Sequence, residues 1–87
     1  MQNYALGDCV FYEGETGTEL FIILEGRVGM FVEGRGKVLE VGPGESFGEP
    51  GIQSNVPRIG TVKALESTAL VVITKEMFDG VAKVTNT

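Results

Sequence analysis

The chain has 87 residues, with 12 acidic and 7 basic side chains and a net charge of −5. This charge, without any run of Lys or Arg, argues against DNA or RNA as a partner, because nucleic-acid phosphates require a basic surface. No apolar stretch reaches the roughly 18 residues of a membrane helix, and the N-terminus has no signal-peptide pattern. A single cysteine, Cys9, cannot form an internal disulfide and fits a reducing compartment. We predict one small domain over residues 1–87, located in the cytoplasm and without a membrane partner.

Short apolar segments separated by turn residues predict a mainly β protein, built as an antiparallel sandwich or barrel. In chain order, the predicted strands cover residues 9–12, 20–25, 27–33, 37–41, 46–47, 60–65 and 69–74. Residues 13–19 form a polar connection whose glutamates Glu13, Glu15 and Glu19 are interpreted as keeping the loop soluble. The segment from Glu33 to Lys37 contains two glycines and predicts a tight hairpin, since glycine accepts the positive φ of a reversal.

Two short helical segments are predicted. One lies near residues 49–54, in the loop that follows the strand at 46–47. The other begins at Thr74, whose hydroxyl is a favourable N-cap, and carries Met77, Phe78 and Val81 at helical spacing. The predicted fold is therefore mainly β, with a short helix in a central loop and a short C-terminal helix.

The loop at residues 42–61 contains the polar residues that indicate a binding function. It places one carboxylate, Glu49, and one guanidinium, Arg58, at the two ends of a segment rich in Gly and Pro. Arg offers a planar fork of donors that suits a phosphate, whereas an ionised Glu only accepts hydrogen bonds and suits a hydroxyl. This pattern predicts a cradle for an anion and a sugar.

Several motifs resemble, in the same order, those of the cyclic-nucleotide-binding domain family. The matching pieces are Gly7-Asp8, Gly14 with Gly17, residues 20–26 (LFIILEG), Gly42-Pro-Gly44, Phe47-Gly-Glu49 and residues 57–62 (PRIGTV). The most specific part is the Phe-Gly-Glu followed by Arg nine residues after its Glu. The resemblance covers nearly the whole chain and implies a small antiparallel β-roll, or jelly-roll barrel.

The resemblance implies a phosphate-binding cassette at residues 47–61. In such domains the counterpart of Arg58 pairs with the cyclic phosphate, and the counterpart of Glu49 accepts a hydrogen bond from the ribose 2′-hydroxyl. Backbone N–H groups near Gly48 and the short helix complete the cradle, as the start of a helix favours an anion. The expected ligand-binding residues are Phe47, Gly48, Glu49, Gly51, Arg58, Ile59 and Gly60.

Three residues of the cassette depart from the family's usual pattern. Pro50 has no N–H and removes one phosphate donor, although proline is well accepted at the first position of a helix. Gly51 raises the entropy lost when the cassette becomes ordered. Ile59 stands directly after the arginine, where family members that prefer cyclic GMP often carry Thr. An apolar Ile cannot donate a hydrogen bond to guanine, which favours cyclic AMP as the ligand and leaves cyclic GMP as the alternative.

The family's domain also has flanking helices, including a long C-terminal helix that closes over the base, whereas this sequence stops at Thr87. We expect weaker binding than in a complete domain; either a partner protein or dimer mate supplies the cover, or the chain is a fragment or a minimal version of the domain. Two hypotheses follow. In the first, the domain is a cyclic-nucleotide sensor. In the second, it is a structural or interaction module with a vestigial cassette, in which Glu49 and Arg58 form an ion pair.

The sequence gives little support for catalysis. It contains no histidine, which removes the usual metal ligands of cupin barrels and any Ser-His or Cys-His nucleophile. The segment Gly34-Arg-Gly-Lys-Val38 is not a P-loop, because no Ser or Thr follows the lysine. We expect a binding protein rather than an enzyme, with no metal and no cofactor besides its ligand.

Overall fold

The computed structural model describes residues 1–48 and 57–77, and the described residues form a mainly antiparallel β structure. The strands are β1 (Gln2–Tyr4), β2 (Cys9–Phe11), β3 (Leu20–Glu25), β4 (Val28–Val32), β5 (Gly36–Val41), β6 (Ser46–Phe47), β7 (Thr61–Ala64) and β8 (Thr68–Ile73). The predicted mainly β class is thereby confirmed. The helix predicted near residues 49–54 lies outside the described residues.

The strands form two four-stranded sheets, in the orders β1-β8-β3-β6 and β2-β7-β4-β5. Apart from the β4–β5 hairpin, each connection between successive strands carries the chain from one sheet to the other. The cassette follows the same rule, because it leaves β6 in the first sheet and enters β7 in the second. Its two ends are therefore fixed to different layers of the fold.

The core lies between the two sheets and is rich in phenylalanine. Phe21 and Phe47 stack with ring centroids 5.0 Å apart, and Phe11 from the other sheet lies 5.8 Å and 5.9 Å from them. The aliphatic side chains of the core include Ile23, Val28, Val62 and Leu70, which are fully buried. Alternation along the strands explains this arrangement, since every second side chain of a strand points to the same face.

The hairpin and the start of the C-terminal helix agree with the prediction. β4 and β5 pair from Val28↔Val41 to Val32↔Gly36, and Gly34 and Gly36 both have positive φ. The backbone N–H of Met77 donates to Thr74 Oγ1 at 3.2 Å, as expected of an N-cap. Phe78 and Val81, predicted on the same helix, lie outside the described residues.

One strand was not predicted. β1 consists of polar and aromatic residues without apolar alternation, and it exists because it pairs with β8 from Gln2↔Leu70 to Tyr4↔Thr68. Local sequence carries no signal for such a strand, since its stability comes from the partner strand and not from its own pattern.

Candidate functional site

Arg58 is a charged side chain buried beside the phenylalanine core, with 7% of its surface exposed. Its Nη1 donates to the carbonyl oxygen of Gly48 at 3.2 Å, and its Nη2 donates to the carbonyl oxygen of Glu19 at 3.2 Å. The same Nη2 lies 3.5 Å from Glu19 Oε1, in an ion pair. The guanidinium carbon lies 4.4 Å from the centroid of Phe11, within the range of a cation–π contact.

The backbone of Arg58 is fixed by the β2–β3 loop, residues 12–19. Arg58 N–H donates to Glu15 O at 2.7 Å, and Gly14 N–H donates to Arg58 O at 2.9 Å. A β-bridge between Thr16 and Pro57 extends this pairing. The loop therefore holds both the main chain and the side chain of Arg58, so that the C-terminal end of the cassette has a defined position.

Two glycines leave room for the guanidinium. A Cβ placed on Gly17 would lie 2.8 Å from Nη2 of Arg58, and one placed on Gly48 would lie 3.1 Å from Nη1. Gly48 also has φ +90, a conformation that L side chains rarely adopt. A Cβ at Gly17 would require the guanidinium to shift, and one at Gly48 would also lie 2.9 Å from the carbonyl oxygen of Glu19.

Two opposing effects act on the pKa of the Arg58 guanidinium. Burial lowers the pKa of its guanidinium, because a low-dielectric surrounding disfavours the charged form, while the carboxylates of Glu19 and Glu15 act in the opposite direction. Arginine remains protonated in proteins. The site therefore presents a permanent positive charge with little water around it.

Arg58 forms part of the wall of a cavity of about 260 Å³ between the β2–β3 loop and the inner faces of β1, β2, β3 and β8. One side of the cavity is polar and carries Arg58, Glu15 and Glu19; the other is apolar and carries Tyr4, Phe11, Phe21 and Val72, among others. Small-molecule sites are usually apolar clefts of roughly 300–1,000 Å³ with a few convergent polar groups; this cavity is slightly smaller than that range, and the polar share of its lining is larger.

The predicted site residues fall into three groups. Phe47, Gly48 and Arg58 lie together, since Phe47 stacks on Phe21 in the core and Gly48 accepts from Arg58. Gly60 is buried, and a Cβ placed on it would lie 2.7 Å from Met30 Cγ, whereas Ile59 is 66% exposed. Glu49 and Gly51 lie outside the described residues, so their assignment stays a prediction.

The sequence interpretation missed the β2–β3 loop as part of the site. It gave Glu19 no role beyond solubility, although the carboxylate of Glu19 pairs with Arg58 across 39 positions of sequence. Gly17 was recognised as part of a motif, but not as the neighbour of the guanidinium. An acidic loop residue that pairs with a distant arginine has the same local sequence as one that faces only water, so no local signal could have found it.

Within residues 1–48 and 57–77, no group of three or more His, Cys, Asp or Glu side chains is placed to hold a metal ion. In the same part of the chain, none of the helices combines the length and the apolar character needed to cross a membrane.

Comparison with known proteins assigns this two-sheet β-roll, with its buried arginine at an inter-sheet loop, to a family. A family model described as cyclic nucleotide-binding domain matches residues 1–84. The chain therefore belongs to the cyclic nucleotide-binding domain family, whose domain is a regulatory binding module.

Individual relatives agree with this assignment. The chain is 31% identical over 75 residues to a cAMP-dependent protein kinase regulatory subunit of Debaryomyces hansenii, covering 86% of this chain and 17% of that protein. It is 29% identical over 82 residues to human cGMP-dependent protein kinase 2, covering 94% of this chain and 11% of that protein. The crystal structure of the Thermus thermophilus catabolite activator protein superposes with a TM-score of 0.89 at 26% identity, covering 98% of this chain and 42% of that one. The chain thus spans less than half the length of each.

Proposed function

We propose that the domain binds a cyclic nucleotide, with the cyclic phosphate on Arg58, and reports its presence to a partner protein or a second copy of the chain. The observation that carries the proposal is the buried guanidinium, held by Gly48 and Glu19 and packed on Phe11. A guanidinium has five N–H donors, more than the two carbonyls use. Because water is largely excluded, its attraction for an anion is stronger than that of a surface arginine.

The remaining roles follow from the cassette sequence and from the family. We assign Glu49 to the ribose 2′-hydroxyl and the N–H groups near Gly48 and Gly51 to the phosphate. Phe47 and Gly60 support the cassette through core packing, and both are buried. Ile59 cannot donate a hydrogen bond to guanine, which supports cyclic AMP over cyclic GMP. Both nucleotides occur in the names of the family members that the chain resembles.

The binding proposal is tested by calorimetric titration with cyclic AMP and cyclic GMP. We expect wild-type protein to bind cyclic AMP more tightly than cyclic GMP, and Arg58→Ala to lose about 10- to 100-fold in affinity, as a charged hydrogen bond contributes about 1.5–3 kcal/mol. Arg58→Lys should also weaken binding, because it keeps the charge but lacks the planar fork. Arg35→Ala, at the exposed tip of the β4–β5 hairpin, removes the same charge away from the site and should leave the affinity unchanged.

The alternative function is a structural or interaction module with a vestigial cassette. The ion pair of Arg58 with Glu19 favours it, because this pair gives the arginine a structural partner without any ligand. Absence of heat and of thermal stabilisation with either nucleotide at millimolar concentration, in protein whose circular dichroism shows a folded β domain, would refute the sensor and favour this alternative.

A further inference from the structure

We propose that Glu19 and Glu15 make the Arg58 site selective for singly charged cyclic phosphodiesters over doubly charged phosphomonoesters. This inference rests on the proposed function, since it concerns which phosphate the same arginine accepts. It assigns a specificity role to the β2–β3 loop, which the sequence interpretation treated as a solvated connection.

The geometry places two carboxylates around a single cation. Glu19 Oε1 lies 3.5 Å from Arg58 Nη2, and Glu15 lines the same cavity as Arg58. Among the described lining residues, Arg58 is the one basic side chain and Glu15 and Glu19 are the two acidic ones, so the formal charge of this lining is +1 − 2 = −1. A phosphate that reaches Arg58 therefore approaches two negative charges as well as one positive charge.

The charge of the ligand's phosphate group determines how strongly the two glutamates repel it. A cyclic phosphodiester carries one negative charge at neutral pH. A phosphomonoester has a second pKa near ~6 and carries close to two. The Coulomb energy is proportional to the ligand's charge, so each carboxylate repels the monoester about twice as strongly as the diester and thereby offsets the equally doubled attraction of Arg58 for it. Hydrolysis of the cyclic ring produces this monoester, and the two glutamates thus disfavour the hydrolysed form of the ligand.

Glu19 can be neutralised without releasing Arg58. The guanidinium also donates to the carbonyl of Gly48 and to the main-chain carbonyl at position 19, and it packs on Phe11. These contacts survive Glu19→Gln. Glu15 Oε1 accepts from Tyr12 N–H at 2.7 Å, and the amide oxygen of a Glu15→Gln variant can accept the same bond. Both substitutions therefore change charge and keep the frame of the site.

The test measures the affinities for 3′,5′-cyclic AMP and 5′-AMP at pH 7.5 and low ionic strength by calorimetry. A unit charge about 6 Å from the phosphate changes affinity about threefold per ligand charge even in a water-like dielectric, and by more at a partly buried site. Glu19→Gln should therefore raise the affinity for cyclic AMP by at least about threefold and that for 5′-AMP by at least about tenfold, so that the ratio of the two affinities narrows by at least about threefold. In Glu15→Gln the ratio of the affinities for cyclic AMP and 5′-AMP should also narrow.

Glu25→Gln is the matched control. It removes the same charge from the exposed end of β3, six residues and about 20 Å along the strand from Glu19, where a unit charge in a water-like dielectric changes affinity only about 1.4-fold per ligand charge. Its affinity ratio should therefore stay within about 1.4-fold of the wild-type ratio. Since the shapes of the two ligands are the same in every variant, shape discrimination cancels when the ratios are compared.

The outcomes separate this inference from the function on which it rests. A wild-type protein that binds neither nucleotide refutes the proposed function and the inference with it. A wild-type protein that binds cyclic AMP, with an affinity ratio unchanged in both Glu19→Gln and Glu15→Gln, refutes the selectivity while the function stands. A weaker affinity for both ligands in Glu19→Gln, at constant ratio, would show that Glu19 positions Arg58 and does not discriminate between charges.

Discussion

Gly17 leaves the space that the Arg58 guanidinium occupies. A Cβ there would lie 2.8 Å from Nη2 of Arg58, closer than real Cβ atoms approach, and 3.1 Å from Glu19 Oε1, which is a tight contact. No positive φ is involved at this position, so the constraint is purely steric. Because Gly17 has no Cβ, the Arg58 guanidinium, the Glu19 carboxylate and the β2–β3 loop can pack against one another.

This steric constraint gives the first prediction. Gly17→Ala should lower the free energy of unfolding by about 1–3 kcal/mol, the usual cost of overpacking. In an Arg58→Ala background, Gly17→Ala should lower the free energy of unfolding by clearly less, because the guanidinium that clashes with the new Cβ is absent. Urea unfolding of the four proteins of this double-mutant cycle measures the coupling. Equal costs in both backgrounds would show that the contact with the guanidinium is not the cause.

The β4–β5 hairpin carries a small charge network at the opposite side of its sheet from β2. Glu40 accepts from Lys37 Nζ at 3.0 Å and from Arg27 Nε at 3.4 Å. The hydrogen bond and the charge of Lys37, followed by the weaker effect of Arg27, lower the pKa of Glu40 below its ordinary value. A carboxylate with a lowered folded-state pKa adds stability above its unfolded pKa, and this stability is lost as the pH falls through the folded value.

The second prediction concerns this titration. In a carboxyl-detected NMR titration, Glu40 should have its midpoint below the ordinary glutamate value, and in Lys37→Met the midpoint should rise. Because these side chains are exposed, the effect on global stability should be small. A midpoint that does not move in Lys37→Met would show that the ion pair does not persist in solution.

The elements differ in how well the sequence predicted them. The hairpin was predictable because Gly34 and Gly36 mark a reversal and the flanking strands are rich in β-formers. The strands β3 and β6 agree with their predicted bounds for a related reason, since glycines and prolines fix their ends. β1 could not be predicted, because its existence depends on β8, more than 60 positions away in the sequence.

In the candidate site, too, the sequence identified some residues and could not identify others. Arg58 stood out because its distance from Phe47-Gly-Glu49 belongs to a recognisable motif. Its partners Glu19 and Phe11 are contributed by strands and a loop that the topology brings to the cassette, and their contacts span 39 and 47 positions. Such contacts are products of the two-sheet arrangement and leave no mark in the local pattern.

The whole domain depends on one core between its two sheets. Leu70 is fully buried in β8, the strand that pairs with both β1 and β3. A domain of this size has a total stability of only about 5–15 kcal/mol, so the loss of one core side chain removes a large share of it.

The third prediction follows from this dependence. Leu70→Ala should destabilise the protein by about 2–5 kcal/mol and lower the thermal midpoint by at least about 8 °C. Leu24→Ala, in the neighbouring strand β3 but 49% exposed, should change stability by less than about 0.5 kcal/mol. Thermal unfolding followed by circular dichroism compares the two. Similar shifts in both variants would contradict the assignment of the core.

The burial of Arg58 also governs how the domain responds to ionic strength. Salt weakens attraction between exposed charges, whereas a pair withdrawn from water is screened much less. With 7% of its surface exposed, Arg58 lies largely beyond the reach of dissolved counterions. The proposed binding of a phosphate at this arginine should therefore weaken less in concentrated salt than binding at a site built from surface lysines.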